Sequence, residues 1–138
     1  MVDIQRTVVK PSTIAAPLGA YSHAVRVKPG ELMYIAGQVA VDANGDLVGR
    51  GDAAAQTRQA LENIGAVLES VGASFANVVE LTSYVVGRES VQGFVDGRTD
   101  FFPTAFPTGE YAPNTLLVVA GLVREEFLVE IKATAVLP

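Results

Sequence analysis

Glu130 is the residue of this chain whose surroundings most directly suggest chemistry. It lies in the stretch FLVEIKATAV, residues 127–136, where β-branched and apolar residues predict a strand. Side chains alternate between the two faces of a strand, so Glu130 shares one face with Lys132, while Val129 and Ile131 share the other. Two interpretations are open. Glu130 belongs either to a solvent-facing polar row, paired with a lysine, or to a cleft between subunits where it moves a proton or orients water.

Three further residues suit a small-molecule site. Tyr21, in LGAYSHA, precedes a predicted strand and is either an amphipathic rim residue or a hydroxyl donor to a pocket. His23 is close by, but a lone histidine without a partner serine or cysteine motif is more typical of a structural or exposed position. Gly37 ends the apolar run of IAGQV, where the missing β-carbon permits close approach of a ligand or a neighbouring strand.

The composition argues against several classes of function. The absence of cysteine rules out disulfides, thiolate zinc sites and a cysteine nucleophile, and a single histidine disfavours a transition-metal site. The formal net charge of −5, without a basic cluster, disfavours nucleic acid as a partner. The segment MVDIQRTVVK lacks the apolar core of a signal peptide, and no apolar run approaches the roughly 18 residues of a membrane span. We therefore expect a cytoplasmic protein with no membrane partner.

Length and hydropathy together predict an oligomer. The 138 residues form one domain, 1–138, since no linker, repeat or change in composition divides them. The chain is 49% hydrophobic and 18% charged, where about 25% charged is usual. A domain of this size cannot bury so many apolar side chains alone. We expect a deep pocket or a subunit interface to cover the excess.

The first half of the chain predicts three strands and a helix. Alternation predicts a strand over 2–9, and the Pro-Gly turn KPGE between 23–27 and 32–37 predicts a hairpin. Apolar residues at steps of three and four predict a helix after Asp52, which can cap its N-terminus. Gly72 can take the left-handed position that ends the helix.

The second half predicts a strand over 78–86, a helix over 89–102, and strands over 116–122 and 127–136. Gly93 and Gly97 weaken this second helix or let it pack closely on the sheet, and the prolines of 102–113 predict a loop. The order β-β-β-α-β-α-β-β indicates an α+β fold with a mixed sheet. Two helices cover one sheet face only. The unbroken apolar run LLVVA is typical of a strand buried on both faces, so a second copy of the chain is expected to cover the other face.

Five segments, in this order, resemble the Rid/YjgF family of reactive intermediate deaminases, also labelled endoribonuclease L-PSP. They are AAPLGAYSHAV (15–25), LMYIAGQVAVD (32–42), AAQTRQALENIGAVLESVGAS (54–74), VVELTSYV (78–85) and FLVEIKATAV (127–136). The resemblance spans nearly the whole chain. It implies a chorismate-mutase-like fold, with two helices on one face of the sheet. It also implies a homotrimer around a central barrel, with small-molecule clefts between subunits.

The resemblance also implies chemistry without a cofactor, the hydrolysis of 2-imino or enamino acids to 2-keto acids and ammonia. The family tyrosine falls on Tyr21, the glutamate on Glu130 and the glycine of the S-G-Q element on Gly37. The asparagine often found in the second helix falls on Val95. The arginine that holds the substrate carboxylate falls on Thr115, so the family's PARS is PNTL here.

These departures predict a less polar pocket than the family's, with Ala36, Val95, Leu116 and Leu117 at or beside polar positions. Arg98 and Arg124 are near in sequence, but nothing in the sequence brings either to the cleft. We expect a hydrolase in which Glu130 orients water against an uncharged or weakly charged imine, enamine or related compound. The alternative is a non-catalytic module that binds a small metabolite. RNA cleavage is implied by the family's second label alone, and the net charge opposes it.

Overall fold

The computed structural model describes residues 4–28 and 30–138, and these residues form helices and strands in the predicted order. The elements are β1 Arg6–Val9, β2 Ala24–Val27, β3 Glu31–Val39, α1 Ala53–Glu69, β4 Val78–Val86, α2 Ser90–Ala105, β5 Asn114–Val119 and β6 Val129–Leu137. A single 3₁₀ turn, Phe75–Asn77, precedes β4. The beginning of the strand predicted over 2–9 lies outside the described residues.

The main sheet has the strand order β3-β6-β4-β5. β6 runs antiparallel to β3 and β4, while β4 and β5 are parallel. α1 packs on β3 and β6, α2 packs on β4 and on α1, and the apolar core lies between these helices and the sheet. The predicted α+β fold, with a mixed sheet and helices on one face, is therefore confirmed.

The hairpin predicted for the second and third strands is wrong. β2 pairs with β1 in a separate two-stranded sheet, where Arg26 lies opposite Thr7. β3 pairs with β6 instead, along most of its nine residues, because pairing between strands distant in sequence depends on the whole fold and not on the turn between neighbours. The predicted turn includes Pro29, which lies outside the described residues. Gly30 lies against the carbonyl oxygen of Leu137, at the end of β6.

The predicted ends of α1 are borne out by the backbone. The carboxylate of Asp52 accepts a hydrogen bond from the backbone N–H of Ala55 at 3.0 Å. Gly72 has a φ of 74° and so is left-handed, two residues beyond the cap at Ser70. Leu61, Ile64 and Leu68 of the predicted apolar stripe are buried, as expected for a helix with one face on the core.

Two expectations about α2 need correction. The helix runs through Pro103 to Ala105, into the segment predicted to be a loop, because a proline in the last turn removes only one hydrogen bond. Gly97 permits close packing against α1 and not against the sheet. A β-carbon on Gly97 would lie 2.6 Å from the carbonyl oxygen of Ala54, and one on Gly93 would lie 2.8 Å from the β-carbon of Ala53.

The strand of LLVVA is not buried on both faces by its own chain, and its expected cover by a second copy stays a prediction. β5 lies at the edge of the main sheet and has a strand neighbour on one side only. Leu117 and Val118 remain 43% and 44% exposed. In the part of the chain that the structure describes, no helix is both long and apolar enough to cross a membrane.

Candidate functional site

Glu130 lies on the face of the main sheet opposite the helices, which we call the open face. The predicted alternation is confirmed, since Val129 and Ile131 are buried beneath the helices while Glu130 and Lys132 point the other way. The open face also carries Leu32, Tyr34 and Leu117, whose exposed fractions are 54%, 76% and 43%. Glu130 is therefore a half-buried carboxylate on a broad, partly apolar surface.

The backbone at Gly37 makes room for the carboxyl group of Glu130. The pairing of β3 with β6 shifts register between Ile35 and Gln38, so Gly37 lies in a bulge beside Glu130. A β-carbon built on Gly37 would lie 2.7 Å from the carboxyl carbon of Glu130 and 2.9 Å from its Cγ. A side chain at position 37 would therefore displace this carboxylate. The close approach predicted at Gly37 is made by the glutamate of the neighbouring strand.

The other strands place Tyr84, Leu117 and Thr115 near Glu130. Tyr84 of β4 lies opposite Glu130 on one side and opposite Leu117 of β5 on the other. One row along the sheet, Thr82 lies opposite both Lys132 and Thr115. Sequence reasoning missed Tyr84, although alternation along VVELTSYVV would have placed it on the face of Thr82.

Tyr21 lies away from these residues, in the loop before β2. Its hydroxyl oxygen accepts a hydrogen bond from the backbone N–H of Leu18 at 3.1 Å, which leaves the phenolic hydrogen free to donate elsewhere. His23, whose ring makes an edge contact with Tyr21, has its Nε2 2.6 Å from the carbonyl oxygen of Ala15. A carbonyl can only accept, so Nε2 carries the hydrogen of this bond. Both side chains line a groove of about 820 Å³.

Val95 lies on α2, on the helix-covered side of the sheet, and packs against the core. One chain therefore places Gly37, Thr115, Leu117 and Glu130 on the open face. It does not bring Tyr21 or Val95 to that face.

Arg98 and Arg124, which the sequence could not assign to the cleft, lie in different environments. Arg124 is exposed, lies 3.9 Å from the carboxylate of Glu126 and stacks 5.6 Å from the ring centre of Phe127. Arg98 is buried, with 8% of its surface exposed, and an added β-carbon on Gly19 would lie 3.1 Å from its Nη2. Arg98 therefore lies beside the loop that carries Tyr21.

Among residues 4–28 and 30–138, no group of three or more histidine, cysteine or acidic side chains is arranged to hold a metal ion. The chemistry that the open face offers around Glu130 is that of carboxylate, ammonium, phenol and hydroxyl groups and of the backbone. Such a set can orient water and bind polar atoms of a ligand.

Known proteins match almost the whole chain. The family profile of endoribonuclease L-PSP matches residues 12–137. A RutC family protein of Pyrococcus horikoshii is 34% identical over 119 residues, which cover 86% of this chain and 88% of the relative. The 2-iminobutanoate/2-iminopropanoate deaminase of Rattus norvegicus is 30% identical over 132 residues, covering 88% of this chain and 95% of that enzyme.

A solved structure matches the fold at 38% sequence identity. It is the crystal structure of YyfB from Yersinia pestis, a protein of unknown function in the conserved Rid protein family. It superposes with a TM-score of 0.86 and covers 96% of this chain and 98% of that one. With the profile match over residues 12–137, this likeness shows that the chain belongs to the Rid/YjgF family, also called the endoribonuclease L-PSP family.

Proposed function

We propose that the chain is a cofactor-independent hydrolase of imine, enamine or related metabolites, acting in clefts between three copies of itself. The observation that carries the proposal is the position of the Glu130 carboxyl group. It lies on the open face, against the backbone of Gly37, where no side chain stands in its way. A carboxylate held in this way can fix a water molecule against an electrophilic carbon and accept its proton. The rat relative, named for deamination of 2-iminobutanoate and 2-iminopropanoate, supports imine chemistry.

In this proposal the remaining residues bind the substrate. Thr115 and the backbone at Gly37 contact its oxygen or nitrogen atoms, while Leu117 and the Val95 side chain of a neighbouring copy form apolar walls. Tyr21 comes from a neighbouring copy, because its loop lies away from the open face of its own chain. The substrate is uncharged or weakly charged, since Thr115 offers a neutral hydroxyl where a carboxylate needs a cation.

The proposal of a homotrimer with a central barrel rests on the exposed apolar side chains of the open face and on the high apolar fraction of the sequence. Leu32, Tyr34 and Leu117 expose apolar surface on one sheet face, and such patches mark interfaces. Light scattering at micromolar concentration is expected to give three times the chain mass of 14.5 kDa. A monomer mass would contradict the trimer and the shared cleft with it. The cytoplasmic location, which rests on the absence of cysteine, is also a proposal.

Release of ammonia from a panel of charged and uncharged imines tests the hydrolase. Wild type is compared with Glu130→Gln, which keeps the shape of the side chain and removes its charge. Glu62→Gln, an exposed position on α1, is the matched control. The proposal predicts loss of turnover in Glu130→Gln alone. Equal turnover in all three proteins would contradict the role of Glu130.

The second candidate is a module that binds a small metabolite without turning it over. The apolar side chains on the open face favour it, because they can hold a ligand without any reacting group. Saturable binding by wild type, with no ammonia from any imine of the panel, would establish the module in place of the enzyme. RNA cleavage is not favoured, because a chain of net charge −5 repels phosphates.

A further inference from the structure

Tyr84 stands beside Glu130 on the open face, and the proposed function leaves it without a role. Ser83 and Val85, its neighbours along β4, are buried beneath the helices, so Tyr84 points the other way. On the open face it lies directly opposite Glu130 of β6. The β-carbons of such cross-strand pairs are about 4.5–5.5 Å apart, so the two side chains can contact one small ligand together.

The hydroxyl of Tyr84 is available to such a ligand. The side chain is half-buried, and its hydroxyl forms no hydrogen bond with any of residues 4–28 and 30–138. A tyrosine hydroxyl that is withdrawn from solvent usually has a hydrogen-bond partner. The carboxylate of Glu130 likewise forms no hydrogen bond or ion pair with a described residue. A proton donor and a proton acceptor therefore lie side by side, and neither is engaged within the chain.

Hydrolysis of an imine uses a group of each kind. One accepts a proton from the attacking water, while the other gives a proton to the nitrogen, which gains an electron pair as the C–O bond forms. An ionised carboxylate has no proton to give, so Glu130 cannot fill both roles in the same step. A phenol hydroxyl within hydrogen-bond reach of the nitrogen can fill the second role.

We propose that Tyr84 is the general acid of the proposed hydrolysis and protonates the substrate nitrogen while Glu130 takes a proton from water. This role rests on the proposed function and adds a second catalytic residue to it. In the addition step the water oxygen bonds to the imine carbon and the π electron pair moves to nitrogen. One water proton goes to Glu130 and the hydroxyl proton of Tyr84 goes to nitrogen. Glu130 then returns its proton to the phenolate oxygen through water.

The same pair serves the second step, in which ammonia leaves. The hydroxyl proton of the carbinolamine goes to Glu130, and the electron pair of that O–H bond forms the C=O bond. The C–N bond breaks, its electron pair stays on nitrogen, and nitrogen takes the proton of Tyr84. The proton on Glu130 again returns to the phenolate, so both side chains end as they began.

Lys132 is the other proton donor near Glu130 on the open face. It lies on the same strand, opposite Thr82, and is exposed. Successive side chains on one face of a strand are about 6.5–7 Å apart, two steps of the strand rise, which is farther than a cross-strand pair. The ammonium forms no ion pair with Glu130 or with any other residue that the structure describes. The geometry therefore favours Tyr84 as the partner of Glu130.

Ammonia release by Tyr84→Phe, from the imine that wild type hydrolyses fastest, tests this role. The variant keeps the ring and removes only the hydroxyl. We expect kcat to fall by at least about a hundredfold, the lower end of general-acid catalysis. KM should change much less, because the proton moves to nitrogen only in the transition state. Tyr111→Phe is the matched control and should be as active as wild type, since its ring stacks on Phe102 of α2, on the helix-covered side.

Full turnover in Tyr84→Phe would overturn the role of Tyr84 and leave that of Glu130 intact. Loss of turnover in Lys132→Met, with Tyr84→Phe active, would assign the acid to the ammonium instead. A higher KM at unchanged kcat would also contradict general-acid catalysis, because the hydroxyl would then only bind the substrate.

Light scattering separates catalysis from assembly. Tyr84→Phe should have the mass of wild type, and a smaller mass together with lost turnover would show that the hydroxyl joins two copies of the chain and is not the acid. Absence of imine turnover in wild type would refute the proposed function itself, a result distinct from a loss confined to Tyr84→Phe.

Discussion

Gly37→Ala is the substitution whose effect follows most directly from the geometry. The new β-carbon would lie 2.7 Å from the carboxyl carbon of Glu130, where carbon atoms in contact are about 3.5–4.0 Å apart. The carboxyl group must therefore move by about 1 Å. A displacement of that size at a reacting group costs about a hundredfold in rate. We expect kcat/KM of Gly37→Ala to fall by about that factor.

Gly37→Ala should change the free energy of unfolding much less than it changes the free-energy barrier of the reaction. The Glu130 side chain is flexible and its end is free to swing away, so the cost is that of an unfavourable rotamer, about 0.5–1.5 kcal/mol. The lower backbone entropy of the unfolded alanine variant offsets part of this cost, by about 0.4–1 kcal/mol. Urea unfolding at fixed protomer concentration should thus show a change of less than about 1 kcal/mol, although activity falls a hundredfold.

Ammonia release from the imine that wild type hydrolyses fastest measures the activity. Gly121→Ala is the control, because an added β-carbon there would meet no atom within 4 Å. A double-mutant comparison isolates the contact, since the cost of Gly37→Ala should vanish once Glu130→Ala has removed the carboxylate. Full activity in Gly37→Ala, or the same unfolding cost with and without the Glu130 side chain, would refute the reasoning.

Three further predictions follow from other contacts. Wild type should hydrolyse 2-iminobutanoate at least about tenfold less efficiently than arginine-bearing relatives, which corresponds to about 1.4 kcal/mol of lost transition-state stabilisation. Thr115→Arg should raise that activity. Thr115 is exposed on β5, which leaves space for the longer arginine side chain. A coupled amino-acid-oxidase assay measures both activities. If wild type were as active as the arginine-bearing relatives, another cation would hold the substrate carboxylate. Gln56→Leu should lower the free energy of unfolding by at least about 2 kcal/mol in urea, because the backbone N–H of Leu128, which donates to this buried amide at 2.8 Å, loses its acceptor. Gly97→Ala should cost about 1–3 kcal/mol in the same assay, because its β-carbon meets the fixed carbonyl of Ala54; unchanged stability would contradict the close helix contact.

The site could be predicted in part because some of its geometry is local. Alternation along 127–136 placed Glu130 on the other face of the strand from Val129 and Ile131. This needed no knowledge of a partner strand, since the period of a strand is a property of its own backbone. The role of Gly37 was foreseen only as a close approach. Which atoms approach depends on the bulge in its pairing with β6, and a bulge is a relation between two strands.

The sequence by itself determined the order of the elements, the start of α1 at its Asp52 cap and the bounds of β4, because capping, periodicity and β-propensity act within a few residues. The tertiary structure decided which strands pair, since β2 joins β1 in a separate sheet and β3 pairs with β6, from the far end of the chain. It also decided that Arg98, one helix turn beyond Phe94, lies buried beside the Tyr21 loop, where no ion pair is formed with any of the described residues. No local rule shows this, because the charge balance of a buried group depends on side chains brought together from distant parts of the chain.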